Sequence, residues 1–268
     1  MYEFNYHQPA SLDEIARLLG ANEDAKLVAG GMTLIPTLKQ RLAKPSDLID
    51  LAKIDSLKGI REEGDALVIG AMTRHADVQR SPIVQGAIPA LAALAGMIGD
   101  PAVRNRGTIG GSIANNDPAA DYPAAVVGLA GTVRTTKRQI AADDFFTGMF
   151  ETALEPDEII TAVRLPKPQA ASYQKFRNPA SRYAIVGVFV ARMASSTGGG
   201  VRVAVTGAGP SVFRVPEMEQ ALARSFTPDA IKDIAIPDAD LNSDIHASAE
   251  YRAHLVNVMA RRAVAACA

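Results

Sequence analysis

The chain has 268 residues, 48% of them hydrophobic and 21% charged, with 28 Lys plus Arg against 29 Asp plus Glu. That composition supports a substantial core in one large or two modest domains, and the lack of a basic excess argues against nucleic acid as a partner. The single cysteine, Cys267, excludes an internal disulfide and an iron–sulfur cluster held by this chain alone. His7, His75, His246 and His254 are scattered without metal-ligand spacing, so no metal site is expected. The first residues carry no basic segment followed by an apolar one, and no apolar run reaches the length of a membrane span. The expectation is a soluble, cytoplasmic chain with no membrane span.

In chain order, Ser11 is placed to cap a helix over Leu12 to Leu19, with Glu14 as its capping-box partner and Gly20 at the end. Ala25 to Val28 reads as a strand running into Gly30-Gly31, and Thr33 opens a helix through Arg41. Leu48 to Leu51 reads as a strand. A second module begins near Ile54. It contains a strand at Ala66 to Ile69, a helix capped by Thr73 through Arg80, and another from Ser81-Pro82 through Ala95. Gly96 to Asp121 is rich in Gly, Asn, Asp and Pro and reads as long ordered loops. Thr132 to Ile140 and Ile159 to Leu165 read as strands, and the basic run Arg134, Lys137 and Arg138 as a solvated hairpin face. Pro166 to Ala171 reads as a linker. Beyond it come three antiparallel strands, Tyr173 to Phe176, Ile185 to Met193 and Val201 to Thr206. Two or three helices follow, the last over Ala247 to Ala266.

Two glycine loops carry the chemistry. In Val28-Ala29-Gly30-Gly31-Met32-Thr33 a strand ends in two glycines and a helix begins at once. Free N–H groups at a helix start suit an anion such as a diphosphate. A plain turn has the same sequence signature. In Arg104 to Asn115 the pair Gly110-Gly111 lies between Thr108 and Ser112, whose hydroxyls can join backbone amides around an anion. A wide surface loop is the alternative. There is no GxxxxGK[ST] sequence. Gly207-Ala208-Gly209 lacks the third glycine of a dinucleotide fingerprint and reads as a strand-end turn.

Taken in order and at this spacing, the two loops resemble those of the FAD-binding medium subunits of the carbon monoxide dehydrogenase and xanthine dehydrogenase family. Asp117 to Asp121, Ile69 to Thr73, Asp157 to Ile160 and Ser181 to Ala184 add to the resemblance. It covers nearly the whole chain. The resemblance implies an α+β fold, with a two-part FAD-binding domain of the vanillyl-alcohol-oxidase type over residues 1–165 (subdomains about 1–53 and 54–165). A small antiparallel sheet-plus-helices domain would follow over 172–268.

It also implies FAD, which is expected to be non-covalent because neither His nor Cys lies beside the two loops. Val28, Ala29, Gly30, Gly31, Met32, Thr33 and Leu34 would hold its diphosphate from one side, and Thr108, Gly110, Gly111 and Ser112 from the other. Asp121 matches an acid that contacts the cofactor, Ile160 an apolar residue against the flavin ring, and Lys175 a basic residue near it. Tyr183 would cover a ring face. Members often have Gln or His where Met32 stands; a thioether is a poor acceptor, so the backbone amide would do the binding there. The molybdenum cofactor would lie in a large partner subunit and [2Fe-2S] clusters in a small one, in a dimer of heterotrimers. Electrons would pass from those clusters to the flavin and on to a terminal acceptor. No residue here need act as a general acid or base. The alternative is a free-standing FAD-dependent oxidase of the same fold.

Overall fold

The computed structural model describes residues 1–267. The first fifty residues build a three-stranded parallel sheet. In chain order its elements are β1 (Asn5–His7), α1 (Leu12–Ala21), β2 (Lys26–Val28), α2 (Leu34–Lys39) and β3 (Asp47–Asp50), with β3 central. Ser11 caps α1 by accepting from the Glu14 amide at 3.2 Å, while the Glu14 carboxylate reaches back to the Ala10 amide. Helix α1 continues through Gly20 and is capped at Asn22. Helix α2 stops two residues short of the predicted end, because Arg41 turns left-handed at φ 60°.

The next module is an all-antiparallel five-stranded sheet with helices on it. It contains β4 (Ile60–Glu63), β5 (Ala66–Gly70), α3 (His75–Arg80), α4 (Pro82–Ala87), α5 (Pro89–Met97), α6 (Pro101–Arg106), α7 (Ile109–Asn115) and α8 (Tyr122–Gly128). Then come β6 (Thr132–Thr135), β7 (Gln139–Ala141), α9 (Ala142–Phe145), the small hairpin β8 (Phe146–Gly148) and β9 (Glu151–Thr152), and β10 (Ile160–Pro166). The sheet order is β4-β5-β10-β6-β7.

Several expectations are corrected here. Gly96 to Asp121 is no long loop but holds α6 and α7. Asp100 caps α6 by accepting from the Val103 amide at 2.9 Å, with Pro101 in the first turn. Thr73 caps nothing; its hydroxyl bonds the Gly59 backbone, and α3 starts at His75. The single helix predicted from Ser81 is two, because Pro89 forces Ile88 out of helical geometry. Thr132 to Ile140 is not one strand but two, β6 and β7, paired in the hairpin expected for the basic run. Its basic residues are partnered by acids, Arg134 by Glu63, Lys137 by Glu155 and Asp157, and Arg138 by Glu158.

The predicted linker is also absent. Strand β10 ends at Pro166 and β11 (Pro168–Arg177) begins after Lys167. Both prolines sit at strand ends, where a missing ladder donor is tolerated. Strand β11 opens a four-stranded antiparallel sheet with β12 (Ala184–Met193), β13 (Val201–Thr206) and β14 (Phe213–Arg214), followed by α10 (Pro216–Arg224) and α11 (Ala249–Ala266). Strand β12 is apolar on both faces. Val186, Val188 and Val190 face the core under α10 and α11. Phe189, Ala191 and Met193 join the core built on α5 and α8. Among the described residues no helix is long and apolar enough to cross a membrane.

Candidate functional site

Between the first sheet, the helices α6 and α7, strand β10 and the start of the C-terminal sheet lies a cleft of about 740 Å³. That is within the roughly 300–1,000 Å³ range of cofactor pockets. Every residue singled out from sequence lines it: Val28 through Leu34, Thr108, Gly110, Gly111, Ser112, Asp121, Ile160, Lys175 and Tyr183.

The first glycine loop is a set of open donors. Among the described residues, the amides of Gly30, Gly31, Met32, Thr33 and Leu34 donate to no backbone or side-chain acceptor, whereas the next, Ile35, closes on Gly31. Gly31 adopts φ 70°, which turns the chain from β2 into α2. Consecutive free amides with one left-handed residue form an anion-binding concavity. The side chain of Met32 is partly exposed at the rim, so its amide, not its sulfur, belongs to this concavity.

The second loop behaves differently. Ile109 and Gly110 donate to Thr73 and Ala71 carbonyls, Gly111 to the Thr108 hydroxyl, and Ser112 to the Thr108 carbonyl. These amides are already used by the protein. The second loop can therefore offer a ligand the hydroxyls of Thr108 and Ser112 but not a row of amides, a correction to the symmetrical picture drawn from sequence. The glycines have a packing reason as well. A β-carbon on Gly30 would lie 2.2 Å from the Arg106 carbonyl oxygen, and one on Gly110 2.6 Å from the Ala71 side chain. Close approach of the two loops demands glycine here before any ligand does.

Asp121 lines the same cleft and is 5% exposed. It accepts from the Tyr173 hydroxyl at 2.6 Å and from the Lys175 ammonium at 2.9 and 3.0 Å. Burial pushes its carboxyl up, against the pull of Lys175 and the Tyr173 hydrogen bond. Lys175 is no solvated surface lysine: its side chain is 2% exposed and also donates to the Met97 carbonyl. Ile160 is buried at the start of β10. Tyr183 is half exposed on the loop joining β11 to β12. That loop is shaped by Asn178, whose side-chain oxygen accepts from the Ala180 and Ser181 amides. Burial, with Asp117 and Asp121 nearby, raises the Tyr183 hydroxyl. Glu158, also on the wall, is held down to about 2, chiefly by hydrogen bonding to Arg138.

Other lining residues escaped the sequence reading. Met72 comes from the turn after β5, His75 from the start of α3, and Phe150 from the tip of the β8–β9 hairpin. Phe150 is exposed and left-handed at φ 57°, and its amide donates to the Asn116 carbonyl. Asn116, itself at φ 42°, donates from its side-chain nitrogen to the Gly148 and Glu151 carbonyls. The Asn-Asn-Asp run after α7 was a legible turn signal, but nothing local tied it to a hairpin thirty residues on.

A cleft that combines an anion seat with a buried acid–lysine pair has the features of a dinucleotide site. Comparisons with known proteins agree. Residues 2–168 match the FAD binding domain in molybdopterin dehydrogenase, and residues 171–267 the CO dehydrogenase flavoprotein C-terminal domain. The chain belongs to the FAD-binding medium-subunit family of the carbon monoxide dehydrogenase and xanthine dehydrogenase group. It is 38% identical to the carbon monoxide dehydrogenase medium chain of Hydrogenophaga pseudoflava, over 97% of this chain and 96% of that one. It is 39% identical to the nicotine 6-hydroxylase medium subunit of Paenarthrobacter nicotinovorans, over 97% and 95%. A solved carbon monoxide dehydrogenase from Hydrogenophaga pseudoflava superposes with a TM-score of 0.90 at 38% identity, covering 99% of this chain and 97% of that one. The fold is thus the α+β flavoprotein fold expected from the resemblance, and the chain is an oxidoreductase subunit whose cofactor is FAD.

Proposed function

We propose that this chain is the electron-relay subunit of a multi-subunit molybdenum hydroxylase. FAD supplies the redox chemistry, since it takes electrons singly and holds two, and so links one-electron clusters to a terminal acceptor. The protein's task is to hold and orient the dinucleotide. The free amides of Gly30 to Leu34 carry this reading, because five consecutive donors without protein acceptors at a helix start can seat an anion. In this reading they hold the diphosphate together with the Thr108 and Ser112 hydroxyls. Val28 and Ala29 bring the chain to that turn, while Gly110 and Gly111 let α7 approach. Ile160 and Tyr183 pack against the ring system, and Asp121 and Lys175 supply a buried polar part of the wall.

Substrate oxidation would occur in a large molybdenum subunit, with [2Fe-2S] clusters in a small one, assembled as a dimer of heterotrimers in the cytoplasm. A carbon monoxide dehydrogenase chain and a nicotine hydroxylase chain resemble this one equally well. Substrate identity is therefore carried by the partner. The test is a tagged chain recovered from its native cells. It should bring down a large molybdenum-containing and a small iron–sulfur-containing chain, and acid should release all its flavin into solution, since no His or Cys lies in either loop to bond it. Isolated, it should oxidise no hydroxylase substrate. Substrate turnover by the lone chain would overturn the relay reading in favour of a free-standing oxidase.

A further inference from the structure

Neither glycine loop contains His75, and the flavin reading gives it no role. It opens α3, where its amide donates to the Gly107 carbonyl at 2.9 Å. The residue is 4% exposed yet borders the cleft. Its ring packs on that of Tyr122, with centroids 5.3 Å apart. Nδ1 is buried and has no hydrogen-bond partner among the described residues. Nε2 stands against Gly107: a β-carbon built there would lie 2.5 Å from it. Gly107 in turn packs on Gly30, whose β-carbon would fall 2.7 Å from the Gly107 α-carbon. Nε2 is thus beside Gly107, where the second loop packs on Gly30 of the first.

Burial, with the Arg104 charge adding to it, lowers His75 to about 4. The ring is therefore neutral at pH 7 and carries one N–H. A buried lone pair without a donor is more readily tolerated than a buried N–H without an acceptor. The sealed Nδ1 is then the bare nitrogen, and Nε2 carries the proton toward the cleft. A neutral donor suits this place, because it can bond an anion without a buried charge of its own when the site is empty.

We propose that His75 is a further cofactor-holding residue, whose Nε2–H donates to a diphosphate oxygen where the two glycine loops meet. This rests on the flavin reading and adds a side-chain donor to the row of amides. Hydrogen bonds to charged groups set the scale of the effect, about ten- to a hundredfold in affinity.

The experiment uses the full chain stripped of flavin and titrated with FAD, ADP and riboflavin. His75→Leu should weaken FAD and ADP alike by that factor and leave riboflavin, which has no phosphate, unchanged. His75→Gln should recover most of the loss, because its terminal nitrogen reaches where Nε2 stood; His75→Asn should not. Melting without ligand checks that the variants fold. In the wild type, 15N NMR should give the Nε2-protonated tautomer and a shift of that resonance on saturation with ADP. This readout needs no variant to survive. Wild-type affinity in His75→Leu, or an imidazole signal that ADP does not move, would overturn the inference while leaving the flavin reading intact. A wild-type chain that binds neither FAD nor ADP would overturn both.

Discussion

Lys175→Met isolates the buried pair in the cleft wall. Methionine keeps the length and apolar stem of the lysine and removes the charge. The Lys175 and Asp121 side chains are 2% and 6% exposed, so solvent screens neither. Without Lys175, the carboxylate keeps the Tyr173 hydroxyl as its side-chain donor. Breaking a buried pair from one side costs about 3–5 kcal/mol, which for a chain of this size is a melting shift of roughly 6–20 °C. The pH dependence has a definite sign. Burial already raises the Asp121 carboxyl, and losing the lysine raises it further above its unfolded value of about 3.9. The folded variant then holds a proton that the unfolded chain has released. Its stability is fully present in acid, below the unfolded value, and is lost as pH rises through the folded one. Thermal melts of Lys175→Met should therefore show a larger deficit against wild type at pH 8 than at pH 5. Adding Asp121→Asn should recover most of the deficit and flatten its pH dependence. A single variant that melts like wild type at pH 8, or a double variant no better than the single, would refute the claim that this pair is buried and mutually dependent.

Two further outcomes follow from the loops. Gly30→Ala places a carbon 2.2 Å from the Arg106 carbonyl oxygen, so the loops must part; flavin content by absorbance should fall to near zero, with a lowered melting temperature. Asn116→Ala removes side-chain bonds of 2.7 and 2.8 Å to the β8–β9 hairpin and leaves alanine at φ 42°. The cost should be about 2–4 kcal/mol, read by urea unfolding, with new chymotryptic cleavage after Phe150.

Much of the site was legible because its signals are local. A strand ending in Gly30-Gly31 before a helix start is visible in six residues, and so is Gly110-Gly111 between the Thr108 and Ser112 hydroxyls. What escaped depends on contacts across the chain. The glycines read as room for a ligand, whereas Gly30 and Gly110 are first of all room for Arg106 and Ala71. The amides of α7 read as free donors, but their acceptors, Ala71 and Thr73, come from the turn after β5. Lys175 read as a basic neighbour of the flavin, and only tertiary structure brings it against Asp121, fifty-four residues earlier. Asp100-Pro101 was a readable helix start, obscured by the glycines and asparagines around it. The prolines at 166 and 168 misled in the other direction, since proline also ends strands.

The two family matches meet between residues 168 and 171, yet the hydrophobic interior does not stop there. Phe189, Ala191 and Ala204, from beyond that border, share one core with Leu91, Val126 and Leu165 from before it. A border in descent is thus not a border in cooperativity. The C-terminal sheet acts as a wall of the first module, and the cleft is lined from both sides of the border, by Gly30 and Thr108 on one and Lys175 and Tyr183 on the other. A cut near residue 168 would strip that wall from α5 and α8 and remove part of the cleft lining in the same stroke. Recombining the two halves from different relatives would accordingly succeed or fail on the match of Phe189 to its neighbours in α8, far more than on the sequence at the junction.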